Sequence, residues 1–485
     1  MSSQTMTSLL RTQAFVNGQW ISTDQHFNVY NPATSAVVAT VTQADSALTL
    51  AAIAAAEQAL GPWQQLLPKQ RAELLRQWQH LILAHQHELA ALMTAEQGKP
   101  LAEALGEIEY GASYFDWFTG EAERSYGTLL AQGQEGQKSW YQAQGIGVCA
   151  AITPWNFPHA MIARKVAPAL AAGCTIVIKP AEATPLSALA LAQLAQDAGI
   201  PAGVVNILPT ADPALVGDIL TTHPSVKKLT FTGSTKVGKQ LMAQCASTLK
   251  KVSMELGGNA PFIVFDDADL ELAVQALMQC KFRNAGQTCV SANRVFVDAS
   301  VQPQFIALLK TELSKLNVGS GLDPSVDYGP LINQAAIDKV STLVRDAVQQ
   351  GATLLMGGHS LAEQGPLFYA PTLLTGVMAS MRIAQEEIFG PVIAVQSFQD
   401  EAEAIQIANA VPVGLAGYFC TENYRRIERV SQQLECGMLG INTGAISHAY
   451  NAFGGVKESG IGREGSPLGL AEYQEIKNIT IGDLA

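Results

Sequence analysis

The spacing of apolar and polar positions changes character along the chain. Residues 14–41 run in short alternating stretches, broken at Asn17-Gly18 and Asn31-Pro32. That is the pattern of strands joined by tight turns. From Asp45 to about Phe118 the apolar positions recur at helical spacing, with Asp45 placed to cap the first helix. The segment "LLAQGQEGQKSWYQAQG" follows. It is rich in Gln and Gly and then alternates, which predicts an exposed hairpin or arm. From residue 146 short β-rich runs ("IGVCAAITP", "CTIVIKP", "VVNILP", "KKLTFTG") alternate with helical stretches ("ARKVAPALAAG", "TPLSALALAQLAQDAG", "PALVGDILTTH"). A similar alternation resumes at "APFIVF" and runs to about residue 420. Strand–helix alternation of this kind predicts an α/β fold with parallel sheets and helices on their faces.

Composition narrows the picture. A chain of 485 residues, 48% of them hydrophobic, is too long for one core. Chains above roughly 250–300 residues usually divide, so at least two domains are expected. The net charge of -12 sets an acidic surface against nucleic acid and anionic membrane, and neither is an expected partner. The most apolar long stretch, residues 160–178, carries Arg164 and Lys165 and reads as buried helix and strand. The 7 cysteines are odd in number and show no CxxC or Cys/His ligand spacing. Neither a disulfide framework nor a metal site is expected, and a reducing, cytoplasmic compartment fits. The stretch "MSSQTMTSLLRTQ" has no basic region followed by an apolar one and does not read as a secretory signal.

Several short stretches could carry chemistry. "GIGREG" (460–465) matches G-x-G-x-x-G but has no strand before it, so it reads as a turn. "LTFTGSTKVGKQLMAQ" does have a strand before and a helix after. Its Gly233-Ser234 turn suits a phosphate at a helix start, and it suits an ordinary strand–helix turn equally well. Lys179 and Glu182 follow a β run, where open α/β sheets bind ligands. Taken alone they read as a surface loop, with Thr184 as a helix cap. Glu255 beside Gly257-Gly258 is either a solvated glutamate or a carboxylate that the glycines place in a pocket. Cys289, in "FRNAGQTCVSANR", sits among loop and cap residues. A thiol there is either a buried structural side chain or a nucleophile for a carbonyl carbon. None of the 8 histidines stands in a recognisable cysteine-protease context.

Taken together these stretches resemble the NAD(P)-dependent aldehyde dehydrogenase superfamily. The motifs "TPWNFP", "KPAE", "FTGS", "MELGG", "GQTC" and "EEIFGP" occur in the family's order. The resemblance runs from about Phe15 to about Lys477 and implies a role for each matched residue. Cys289 is the expected nucleophile, and Asn156 with the Cys289 N–H the expected oxyanion hole. Glu255 is the expected base that hydrolyses a Cys289 thioester. Trp155, Lys179, Glu182, Gly233, Ser234, Glu387 and Phe389 are the expected contacts to NAD, with NADP used more weakly because of Glu182. No metal is implied.

The resemblance also implies a fold: a Rossmann-like cofactor domain lacking the usual glycine fingerprint, a catalytic α/β domain and a β-hairpin arm. Mapped here, residues 1–120 and 143–255 form the cofactor domain and 256–440 the catalytic domain. Residues 121–142 and 471–485 supply the arm and strand that pair subunits into a dimer or tetramer. Residues 441–470 return to the cofactor domain and border the substrate mouth.

Within the superfamily the chain is most similar to succinate-semialdehyde dehydrogenases, through "WNFPHAMIARKVAPALAAGCT", "KFRNAGQTC" and "FGGVKESGIGREGS". Arg164, Arg283 and Ser447 match that subfamily's contacts to the substrate's terminal anion. The chain departs from it at His448, Tyr450 and Asn451, and at Ser291, where some relatives have a second cysteine. Glutarate semialdehyde and sulfolactaldehyde are therefore alternative substrates. A CoA-acylating enzyme is a remoter alternative, because such enzymes usually lack the glutamate base.

Overall fold

A computed structural model describes residues 8–131 and 133–482. Residues 1–7, residue 132 within the expected arm, and 483–485 at the end of the expected pairing strand lie outside the described residues.

The first hairpin forms where Asn-Gly predicts it. Strands Ala14–Val16 and Gln19–Ile21 pair across Asn17 (φ 53°) and Gly18 (φ 72°). Positive φ at both turn residues matches the twist of the flanking strands. Helix Ser46–Gln65 begins at Asp45, whose carboxylate accepts from the Leu48 N–H at 2.8 Å. Helices Pro68–Ala84, Gln86–Gln97 and Leu101–Glu123 follow. They pack through fully buried aromatics such as Trp78 against Phe115, centroids 4.8 Å apart. Full burial of one such side chain contributes about 1.5–3 kcal/mol.

The first sheet has eight strands, five of them parallel. In space these run Val205–Ile207, Thr175–Lys179, Val148–Ile152, Val226–Thr232, Lys251–Glu255. In chain order that is third, second, first, fourth, fifth, the doubly wound arrangement. The order reverses between Val148–Ile152 and Val226–Thr232, and a crevice opens at their carboxyl ends. The glycine fingerprint at 460–465 is no phosphate loop. Gly460–Ile461, expected as a turn, is a two-residue edge strand antiparallel to Met254 and Glu255. Gly460 (φ 132°) lies so close that a Cβ would stand 1.8 Å from the Met254 carbonyl oxygen.

The second sheet has seven strands, from Ala260–Val264 to Met438–Ile441. All run parallel except the edge strand Thr353–Met356. The alternation thus extends beyond residue 420. The arm pairs Gly127–Leu129 with Lys138–Gly145, and the latter with Gln474–Ile481. It leaves Tyr126, Leu129 and Ile476 exposed. Among the described residues no helix is long and apolar enough to cross a membrane.

Candidate active site

The switch-point crevice deepens into a cavity of about 370 Å³ between the two sheets. Trp155, Asn156, Gly233, Ser234, Glu255, Cys289, Glu387 and Phe389 all line it. Residues far apart in sequence, singled out by type and motif, thus share one wall.

The Cys289 loop leaves helix Leu270–Phe282 through three consecutive left-handed residues: Asn284 (φ 52°), Ala285 (φ 57°) and Gly286 (φ 75°). Left-handed backbone costs roughly 1–2 kcal/mol at a residue with a Cβ. Gly286 admits no side chain, since a Cβ would lie 2.4 Å from the Gly390 oxygen. Gln287 holds the turn. Its side chain donates to the Asn284 and Pro330 carbonyls (3.1 and 3.3 Å) and accepts from Ile332 N–H (2.9 Å). The Cys289 thiol is half-buried in the cavity. Burial, with Glu387 and Glu255 nearby, pushes its pKa up to about 12, and only Arg164 among nearby side chains opposes this. A base must therefore take the thiol proton as attack occurs.

Asn156 follows the first strand of the switch point. Its side-chain N–H donates to the Gln287 carbonyl at 2.9 Å, which leaves the second N–H of that amide free of this bond. Its own carbonyl accepts from Lys99 Nζ (2.8 Å) and Asn284 Nδ2 (2.9 Å). Glu107 pairs with Lys99 and also accepts from the His159 and Ala160 N–H groups. Asn156 is thereby tied both to the segment that follows it and to the nucleophile loop.

Glu255 ends its strand with a buried carboxylate whose Oε2 has no hydrogen-bond partner among the described residues. Burial and the neighbouring Glu464 raise its pKa well above the carboxylate range, against Arg164, Lys165 and Arg463. A carboxylate kept basic and unpaired is suited to take a proton. Glu464 is itself held by Lys165 and by Arg164, whose Nε lies 2.8 Å from its Oε2.

On the cofactor side, Ser234 caps the 11-residue helix Thr235–Cys245. Its hydroxyl oxygen accepts from Val237 N–H at 3.4 Å. Lys179 is buried and Glu182 exposed at the next strand's carboxyl end, 3.4 Å apart, outside the cavity lining. Thr184 is not the cap of the following helix. Glu96 does that work, accepting from the Leu186 and Ser187 N–H groups at 2.7 and 2.8 Å. Glu387 accepts from Gly258 N–H at 3.1 Å, and burial pushes its pKa up to about 7.

The three expected anion contacts do not reach this wall. Arg164 is buried beneath the Phe453 ring (3.9 Å) and donates to the Tyr114 hydroxyl at 3.0 Å. Its Nη1 meets the Met161 sulfur at 3.5 Å, and Met161 lines the cavity. Arg283 lies over the Phe157 ring (4.6 Å), which also lines the cavity. It opens instead onto a second cavity of about 500 Å³ with Glu103, Gly444 and Ala445. Each guanidinium stands one side chain behind the wall. Ser447 is half-buried in the adjoining loop. There His448 stacks on Tyr450 (5.1 Å, 2° between planes), and Tyr450 approaches Trp117.

Sequence reasoning missed Lys99, Glu107, Gln287, Glu464 and Lys339, the last an exposed cation on the cavity rim. "EQGKP", with Gly98 left-handed just after a helix, was the available signal for Lys99. Nothing local marks Lys339, which reads as an ordinary helix-surface lysine.

Comparison with known proteins agrees with this geometry. The sequence profile of the aldehyde dehydrogenase family matches residues 20–479. The 3-sulfolactaldehyde dehydrogenase of Pseudomonas putida is 52% identical over 477 residues, covering 98% of both chains. The NADP(+) succinate-semialdehyde dehydrogenase of Escherichia coli is 51% identical, again covering 98% of both chains. A solved succinate-semialdehyde dehydrogenase from Burkholderia pseudomallei superposes with a TM-score of 0.97 at 49% identity, covering 98% of this chain and 99% of that one. With a profile match across nearly its whole length and relatives near half identity, the chain belongs to the aldehyde dehydrogenase family and is an oxidoreductase.

Proposed function

We propose that the protein oxidises a small ω-anionic aldehyde, succinate semialdehyde first, to the acid. The observation that carries this is the shared cavity wall of Cys289, Asn156 and Glu255. Cys289 attacks the aldehyde carbon and forms a thiohemiacetal, its thiol proton passing to a water relay as the S–C bond forms. The developing alkoxide is met by an Asn156 N–H and the Cys289 backbone N–H. Loss of hydride leaves a Cys289 thioester, and Glu255 takes a proton from the water that hydrolyses it.

The residues present fit a dinucleotide. Ser234, on the cavity wall, caps a helix that starts at the switch-point crevice, and a Cβ on Gly238 would stand 2.3 Å from Leu256 Cδ2, so a larger residue there would have to displace the Leu256 side chain. Trp155, Gly233, Ser234, Glu387 and Phe389 would hold it, with Lys179 and Glu182 beyond; when bound, NAD supplies the hydride acceptor. The exposed arm would pair with a second copy of the chain, giving a homodimer or homotetramer in the cytoplasm.

The test is NADH formation with succinate, glutarate and sulfonate semialdehydes, without CoA, ranked by kcat/KM. Succinate semialdehyde is expected first. A product formed only when CoA is added would replace hydrolysis by acyl transfer. The relatives above are named for both carboxylate and sulfonate substrates at nearly equal identity, so the loop with His448, Tyr450 and Asn451 is the expected arbiter.

Anion reading falls to Arg283, from behind Phe157, and to Ser447, with Arg164 contributing charge from behind Met161. Arg283→Ala is expected to cost ~2–4 kcal/mol in kcat/KM for semialdehydes. It should cost little for uncharged aldehydes of equal length. Arg164→Ala should also slow uncharged aldehydes, because Glu464 loses a partner. Equal losses for charged and uncharged substrates in Arg283→Ala would show Arg283 to be structural.

For the cofactor, NAD is expected over NADP by about tenfold or more in kcat/KM, which is about 1.4 kcal/mol. Glu182 accepts from both ribose hydroxyls, whereas a 2′-phosphate removes one donor and adds like charge. Lys179 offsets part of that repulsion. Glu182→Ser should raise NADP efficiency and lower that of NAD. An unchanged ratio removes Glu182 from this role.

A further inference from the structure

We propose that Asn293 is a positioning residue that sets Glu387 for the cofactor. The inference rests on the reading of Glu387 as a cofactor contact. Asn293 is buried in strand Ala292–Asp298, four positions after the nucleophile, and does not line the cavity. Its Nδ2 donates to the Glu386 carbonyl at 3.0 Å, and its Oδ1 accepts from the Ile388 N–H at 2.8 Å. One side-chain amide thus grips the backbone immediately before and immediately after Glu387, as a neighbouring strand would.

The grip is needed because this segment has no strand neighbour of its own among the described residues. It lies between helix Arg382–Gln385 and strand Val392–Phe398. Phe389, next along, is held at φ 57°, an unfavourable conformation for a residue with a Cβ. The same Nδ2 also donates to Asn259 Oδ1 at 2.7 Å. Asn259 in turn donates to the Ala384 and Gln385 carbonyls, each at 3.1 Å. Gly258, just before Asn259, supplies the N–H that Glu387 accepts. Asn293 therefore fixes the Glu387 main chain, while the Asn259 segment fixes its carboxylate. Arg294 completes the junction, with Nε 3.1 Å from Asn259 Oδ1.

The test is a double-mutant cycle on the full chain. Asn293→Ala removes both grips, so kcat/KM for NAD should fall about tenfold or more, the scale of leaving buried partners unpaired. The aldehyde KM should stay within about twofold. Asn293→Asp keeps the shape and the acceptor for Ile388 but loses both donors. It carries the test if the alanine variant fails to fold, as judged by thermal melting. In a Glu387→Ala background either change should add less than about twofold, because a positioning residue acts only through the group it positions. Wild-type NAD parameters in folded Asn293 variants, or full additivity with Glu387→Ala, overturn the positioning role alone. Wild-type NAD parameters in Glu387→Ala overturn the reading of Glu387, and the positioning role with it.

Discussion

Cys289→Ala is expected to abolish aldehyde oxidation while leaving NAD binding intact. The thiol forms the only covalent bond to substrate in the proposed chemistry. Nucleophile deletions in enzymes that work this way remove on the order of 10⁴–10⁶ in kcat. Asn156 and Glu255, which share the wall with it, are poor nucleophiles toward a carbonyl carbon. Binding should survive because the cofactor contacts lie on other segments: Ser234 caps its own helix, and Glu387 is held from Gly258. The variant is to be assayed for NADH formation and, separately, for NAD affinity by calorimetry. Activity within tenfold of wild type would sink the nucleophile assignment, whereas lost NAD binding would show that the thiol is a cofactor contact.

Glu255→Gln should fail at a different step. Acylation proceeds, NADH appears in a burst of about one equivalent, and hydrolysis of the thioester then slows by roughly 10²–10⁴. The pH dependence has a definite sign. A base works only when deprotonated, and burial beside Glu464 raises the Glu255 pKa well above the carboxylate range. Wild-type deacylation should therefore rise with pH as that proton leaves, and the glutamine variant should lose the rise. Stopped-flow NADH traces with mass spectrometry of the intact chain distinguish the cases. A variant with neither a burst nor an accumulated acyl adduct would take Glu255 out of the base role.

How much of this was legible beforehand depended on where each signal resides. The hairpin at Asn17-Gly18, the cap at Asp45 and the alternating strands and helices are local patterns, and they lie where the sequence places them. The expected residues that line the cavity were legible because each sits in a short motif, whereas Lys339 on the same rim has none. The frame behind them was not. Lys99 grips Asn156 across 57 residues, and Glu96 caps a helix 90 residues on. No periodicity encodes such pairs, and a buried lysine reads like a surface one until its partner is known. Arg164 shows the reverse difficulty. Its residue type and motif point to an anion contact, while the fold sets its guanidinium behind Met161, beside Glu464 and Tyr114. The expected cap at Thr184 failed for a similar reason, since a better-placed carboxylate arrived from another helix.

The edge strand at Gly460 and the Glu464 that follows it bear on how the enzyme comes into being. Lys165 meets Glu464 across 299 residues, and the strand that carries Glu255 gains its outer neighbour only from Gly460–Ile461. Closing loops of that length is slow, and contacts so remote in sequence form late. During synthesis the nucleophile loop and the five parallel strands of the first sheet emerge long before the segment that adds its last edge strand and Glu464. A chain halted before residue 460 holds the thiol but lacks both the outer neighbour of the Glu255 strand and the Glu464 charge beside it, so the site described above is unfinished until that segment folds into place.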